Sequence, residues 1–252
     1  MNPLDRFSDR VEDYVRYRPG YPSELVETLQ TDCGLTKEAV IADIGCGPGN
    51  LAALFLENGN TVFGVEPNAA MRAASETALQ RFHRFHPIEG CAEATSLPSA
   101  SADFAVVGQA FHWFEPIATR AEFRRILKAG GWAALIWNER AGASAFHDDY
   151  EAILLRYGTD YQKIRERRRD EESIKRFFEG GELRRGTFAY TQWFDFDGLK
   201  GRLLSSSYAP RTGHPSHEPM LNDLRQVFDA HHEAGRVLFQ YETTMWYGRL
   251  PE

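Results

Sequence analysis

Residues 40–50 read VIADIGCGPGN, and the fold turns on them. The apolar run VIADI suits a short strand buried on both faces. Glycines follow at Gly45, Gly47 and Gly49, and the helical pattern LAALFLEN starts directly after them. Glycine permits backbone conformations and close approach denied to other residues, so a ligand can rest against such a strand–turn–helix junction. The spacing is G-x-G-x-G and not the G-x-G-x-x-G of the dinucleotide fingerprint. Asp43 stands two residues before Gly45, where a carboxylate repels a pyrophosphate and attracts an ammonium group. The next strand-like run, TVFGVE (61–66), ends on Glu66. A carboxylate at that tip is placed to accept both hydroxyls of a ribose. Together the two acids suit a nucleoside carrying an amino-acid tail.

Outward from this centre the pattern alternates. A helix is predicted over AAMRAASETALQRF (69–82), a third strand at 86–90 and a fourth at 101–111. A helix over 117–127, stopped by Gly130 and Gly131, leads to a fifth strand, WAALIW (132–137). Strands alternating with helices of this length predict a mostly parallel sheet covered on both faces. After Glu139 the rhythm changes. Residues 144–179 read as helix, including the charge run RERRRDEE (165–172), whose simplest reading is a solvated face. A strand at 183–194, a short helix at 196–207, a longer one at 219–233 and a strand at 236–250 complete the chain. Upstream, Phe7, Val11 and Tyr14 lie at helical spacing, and Pro22 opens a second helix. The expectation is an α/β fold in one domain over 1–252, with seven mostly parallel strands, helices on both faces and helical insertions in the C-terminal half. Residues 1–35 form a helical cover, 36–140 a cofactor-binding core, and 141–252 the substrate-side helices and last strands.

Of the 252 residues, 42% are hydrophobic and 26% charged, the balance of a folded soluble chain. Lys plus Arg is 29 against 36 for Asp plus Glu, a net charge of -7, which argues against a nucleic acid as the main ligand. No apolar stretch reaches the length of a membrane span, and no signal-peptide core opens the chain. Cys33, Cys46 and Cys91 are scattered without metal-ligand spacing, as are His214, His217, His231 and His232, so no metal site is expected. Free thiols point to a cytoplasmic location. A small-molecule substrate is the expected partner, and the chain could work as a monomer or homodimer.

The run from DIGCGPG through VFGVEPNAAM and AEATSLPSASADFAVVGQAFHWF resembles a class I S-adenosylmethionine-dependent methyltransferase with a Rossmann-like fold. The opening YVRYRPGYP is similar to the trans-aconitate methyltransferase-like group of small-molecule methyltransferases. The likeness is strong over residues 7–140 and only topological beyond. It implies S-adenosyl-L-methionine as cofactor, with Asp43 near the methionine ammonium and the backbone of Gly45, Cys46 and Gly47 beneath it. By the same likeness Glu66 takes the ribose, Pro67 and Met71 flank the adenine or ribose, Ala92 and Glu93 meet the adenine edge, and Gln109 and Ala110 approach the methionine portion. A carboxylate oxygen is the acceptor it favours, with phenol, amine and carbon acceptors open.

AFHWFEP (110–116) falls where a fourth parallel strand ends, the usual location of ligands in such sheets. His112 near neutral pKa can act as a base, and the Trp113 indole can cover a sulfonium through its π face. Both also read as ordinary packing, and a carboxylate acceptor needs no base. Tyr14, Arg18 and Tyr21 form a segment able to fold over the pocket, with Tyr14 a catalytic candidate, Tyr21 a substrate contact, and Arg18 a partner for a carboxylate of cofactor or substrate. Residues 205–218 read as a mobile rim loop presenting Tyr208 and Arg211 to the substrate. Two other readings compete: a cofactor-binding regulatory protein without transfer activity, and an NAD(P)-dependent oxidoreductase, which the glycine spacing and Asp43 both disfavour.

Overall fold

A computed structural model describes residues 15–141, 144–168 and 171–251. Seven strands form one sheet in the order β3-β2-β1-β4-β5-β7-β6. These are β1 (Val40–Ile44), β2 (Thr61–Val65), β3 (Phe85–Ile88), β4 (Ala102–Gly108), β5 (Leu127–Arg140), β6 (Arg184–Phe194) and β7 (Val237–Gly248). The first five pair in parallel; β7 runs antiparallel between β5 and β6. The direction of winding reverses between β1 and β4, so their carboxyl ends open a crevice there. The Rossmann-like seven-stranded sheet expected from the sequence is the one found.

Helices cover both faces, as the doubly apolar strands require. On one face α1 (Glu24–Cys33) and α2 (Asn50–Asn58) bury Leu25, Leu29 and Phe55 against Ile41, Val106 and Ile136. On the other, α4 (Pro116–Ile126) and α7 (Glu171–Phe177) bury Phe123, Ile126 and Phe177 against Ile44, Ala105 and Leu135. The remaining first-half helix, α3 (Ala69–Ala78), is capped by Asn68, whose side-chain oxygen accepts from the Met71 N–H. A third core lies beyond the strand ends. There α5 (Ala145–Tyr157), α6 (Tyr161–Arg168), α8 (Phe196–Leu204) and α9 (His217–His231) enclose Tyr150, Leu199, Leu224 and Phe239.

One expectation needs correction. The helix before β5 ends at Ile126, not at Gly130 and Gly131; Leu127 is already extended, and Gly130 (φ 76°) lies where the β4–β5 register shifts. Residues 144–179, read as helix, are helical in α5 to α7, with α5 ending at Tyr157 and α6 starting at Tyr161. Gly158 breaks the first: a Cβ there would lie 2.5 Å from the Leu154 carbonyl, so the chain turns at that point. The expected first helix falls mostly outside the described residues, and only residues 15–17 of it are seen as helical.

Glu122 fastens the loop after β3 to α4. Its Oε1 accepts from the Thr95 N–H at 2.7 Å and the Thr95 hydroxyl at 2.6 Å, and both carboxylate oxygens accept from Arg125. The Arg125 hydrogen bonds hold its pKa down, to about 2. A depressed carboxylate pKa contributes stability above its unfolded value, lost as pH falls through the folded one. We expect Glu122→Gln to lose roughly 1–3 kcal/mol in urea unfolding at pH 7. The difference should fade between about 4.5 and 2. Equal stability at pH 7 would mean this anchor is not needed.

Candidate active site

The turn after β1 is built to leave one glycine open. The Gly45 N–H donates to the Val65 carbonyl at 2.8 Å, tying the turn to β2. Gly45, Gly47 and Gly49 all have positive φ, at 69°, 54° and 92°. A Cβ on Gly45 would lie 2.8 Å from the Ala110 Cβ, and one on Gly49 would lie 2.5 Å from Leu79. On Gly47 it would meet nothing within 4 Å. So Gly45 and Gly49 are glycines because protein presses on them, whereas Gly47 faces open space.

Glu66 latches this turn to the next. Its two carboxylate oxygens accept from the Gly47 N–H and the Asn68 N–H, each at 2.9 Å, while Arg72 donates to its carbonyl at 2.8 Å. Burial raises its pKa, and the two N–H groups and Arg72 oppose that. Asp43 is 0% exposed, and among the described residues neither carboxylate oxygen has a partner within hydrogen-bond distance. Burial pushes its pKa up to about 8, against the opposing pull of the Ala52 N–H at the start of α2, and the neighbouring Glu66 charge adds a smaller push upward. At neutral pH it is therefore a neutral acid with unused hydrogen-bonding capacity, a rare and costly arrangement in a core. Cys46 lies beneath the turn, its Sγ against Gly64, with its thiol pKa raised by burial. Only its backbone can face a ligand.

The other strand tips converge on the same crevice. Gln109 follows β4 with φ 64°, an uncommon conformation for a non-glycine residue, and its amide donates to the Asn138 carbonyl at 3.1 Å. Ala110 packs against Gly45. His112 and Trp113 sit in the short turn Phe111–Trp113, ring centroids 4.6 Å apart. Pro67 is half-buried; Met71 and Ala92 are buried. Glu93 accepts from the Glu115 N–H at 2.8 Å, which pins the loop after β3 against α4.

Residues 18–21 strap across this end of the sheet. Asn50 donates to the Pro19 carbonyl at 3.4 Å, Asn138 to the Gly20 carbonyl at 2.8 Å, and Arg18 to the Ser205 carbonyl at 2.8 Å. Tyr21 lies on Gly108 at the end of β4, where a Cβ would come within 2.5 Å of its hydroxyl. Tyr14 lies outside the described residues. The rim-loop expectation is corrected in part: Tyr208 to Pro210 are buried, because Tyr208 packs in the third core, while Arg211 to Pro215 are exposed.

Sequence reasoning missed Asn138, Arg140 and Arg202. Asn138 joins the strap, Gln109 and β7, accepting from the Thr243 hydroxyl at 2.6 Å. It and Arg140 follow WAALIW at a strand tip, a position that could have drawn attention to them. Arg202 carries no such signal: it belongs to a helix that only the third core positions.

Residues 42–135 match the family model described as a methyltransferase domain. An uncharacterized methyltransferase of Mycobacterium tuberculosis is 30% identical over 161 residues, covering 64% of this chain and 62% of that protein. One of Schizosaccharomyces pombe is 30% identical over 135 residues, covering 53% of each chain. The chain thus spans about three fifths of the Mycobacterium relative's length and about half of the yeast one's. A solved Anaeromyxobacter dehalogenans protein named for a type II methyltransferase overlays with a TM-score of 0.66 at 20% identity, covering 94% of this chain and 100% of that one. That likeness concerns the fold. The glycine turn and the acidic strand tips lie within residues 42–135, the part of the chain similar to the methyltransferase-domain family, and the sheet order carries that similarity as a fold.

Proposed function

We propose that this chain moves a methyl group from S-adenosylmethionine to a small-molecule acceptor, with a carboxylate oxygen as the favoured nucleophile. The observation that carries the reading is Asp43, a buried carboxyl whose oxygens find no hydrogen-bond partner among the described residues, near the glycine turn where a Cβ on Gly47 would meet none of them within 4 Å. Such a group fits the ammonium of an amino-acid tail. When bound, the cofactor supplies an electrophilic methyl on a sulfonium that departs as a thioether. In the transfer the acceptor oxygen forms a bond to the methyl carbon as the carbon–sulfur bond breaks, so a carboxylate ends as a neutral ester and no proton moves.

The residues of the chain then have binding and excluding tasks. Asp43 holds the ammonium. Glu66, with lone pairs left after its two backbone bonds, accepts the ribose hydroxyls, and the Gly47 backbone leaves room beneath. Pro67 and Met71 flank the nucleoside, Ala92 and Glu93 meet the adenine edge, and Gln109 and Ala110 line the methionine path. The strap with Arg18 and Tyr21 keeps water from the strand ends, which favours alignment of donor and acceptor. Trp113 covers the sulfonium. His112, and Tyr14 upstream, become proton acceptors only if the nucleophile is a phenol or amine.

Calorimetric titration with S-adenosylhomocysteine tests the cofactor part without turnover. We expect micromolar binding, at least a tenfold loss in Glu66→Ala, a smaller loss in Glu66→Gln, and no heat with NADH. NADH binding in place of the sulfur nucleoside would move the protein to the oxidoreductases. Gly47→Ala tests the open face. It should unfold at a stability only about 1–2 kcal/mol below the parent, the strain of its positive φ. Its affinity for S-adenosylhomocysteine should fall at least tenfold, because the added methyl occupies ligand space. Unchanged affinity would show that the nucleoside does not lie on this turn.

A further inference from the structure

Beside the crevice, a cavity of about 190 Å³ opens between the end of β5 and helices α5, α6 and α8. That is room for a small organic molecule in place of several waters. Three arginines line it: Arg140, Arg165 and Arg202. Arg140 and Arg165 both pair with Glu151, at 2.7 and 3.0 Å. Arg140 also donates to the Tyr161 hydroxyl, which in turn donates to Glu151 at 2.6 Å, and its Nη1 lies 3.5 Å from the Tyr208 hydroxyl. Two guanidinium groups therefore share one carboxylate. Glu139 and Asp148 reach the cavity wall, yet among the described residues neither pairs with any of the three arginines.

Arg202 is the unusual one. It is 5% exposed, and among the described residues no carboxylate pairs with it. Its partners are neutral: Nε donates to the Tyr241 hydroxyl at 3.0 Å, Nη1 donates to the Ser206 hydroxyl at 3.3 Å, and the group lies 5.7 Å from the Phe239 ring centroid. No hydrogen bond from Nη2 is made to a described residue. A guanidinium stays charged when buried, and burying it without a counter-ion is costly. A ligand anion in the cavity removes that cost, and a planar fork of N–H donors matches a carboxylate in geometry as well as charge.

We propose that Arg202, with the Arg140 side of the cavity, anchors a carboxylate of the methyl acceptor, a group distinct from the atom that is methylated. The proposal rests on the methyl-transfer reading for the word acceptor, but the anion site stands on its own geometry. Asn138 lines the cavity and also receives the Gln109 amide through its carbonyl, so the site adjoins the tip of β4 where the methyl donor would lie. An acceptor held there carries at least two polar ends: one fixed at Arg202, the other turned toward the donor. That selects small dicarboxylate-like acids over neutral acceptors of the same shape.

The test uses the full chain, with succinate as the probe, succinamide as its uncharged counterpart and S-adenosylhomocysteine as a separate ligand. Succinate should bind saturably and succinamide should not. Arg202→Gln should weaken succinate at least tenfold while S-adenosylhomocysteine binds within twofold of the parent, and Arg202→Lys should fall between. If the glutamine variant fails to fold, Tyr241→Phe, which removes only the hydroxyl holding Nε, should still weaken succinate severalfold. No succinate binding by folded parent protein, or equal binding by parent and variants, would overturn the proposal. So would a tenfold loss of S-adenosylhomocysteine with succinate untouched, which would assign Arg202 to the cofactor. Succinate binding that depends on Arg202 with no nucleoside binding at all would keep the anion site and remove the methyltransferase reading.

Discussion

Asp43 and Glu66 share the low-dielectric space behind the glycine turn, and two carboxylates there cannot both be charged cheaply. The chain resolves the conflict unequally. Glu66 receives two backbone N–H groups and the nearby Arg72, so its charge has support. Asp43 has only the opposing pull of the Ala52 N–H among the described residues, and burial pushes it toward the neutral form. Glu66 thereby becomes a structural latch joining the turn after β1 to the cap of α3, while Asp43 remains a reserve of unspent hydrogen-bonding capacity. The glycines, the strand order and the buried tips of β1 and β2 are arranged around that asymmetry.

The second half of the chain closes the same end of the sheet from above. Its third core fixes α5, α6 and α8, and Ser205 at the end of α8 accepts from Arg18 of the strap through its carbonyl. Asn138 is the point where the halves meet: its side chain holds the strap and β7, and its carbonyl takes the Gln109 amide. A crevice bounded by fixed strand tips on one side and a packed helical lobe on the other is suited to excluding water, which the proposed displacement requires.

The first 140 residues were largely legible because parallel strands buried on both faces announce themselves as short apolar runs, and because a turn that needs positive φ at three places must spend three glycines. Asp43 and Glu66 could be placed at strand ends for the same reason. What sequence alone concealed depends on long-range packing. The N–H groups that occupy Glu66 come from turns set by β1 and β2 pairing, and the end of α5 is set at Gly158, where an added Cβ would press on the Leu154 carbonyl and on Tyr161. A Pro- and Gly-rich stretch around Tyr208 suggests a rim, yet its aromatic ring packs in the third core beside Tyr161. Arg202 has no local pattern at all. Its meaning arises only from burial without a paired carboxylate among the described residues.

If Asp43 is a neutral acid waiting for a cation, binding must move its proton. The most direct measurement is the number of protons exchanged when S-adenosylhomocysteine binds at pH 6.5, from calorimetry in buffers of different ionisation enthalpy. At that pH an α-amino group is already largely charged. Asp43, with a pKa of about 8, is protonated before binding. The account predicts release of about one proton in the parent protein and none in Asp43→Asn. Tight binding with no proton released by the parent would contradict it, because the ammonium would then not be resting on Asp43.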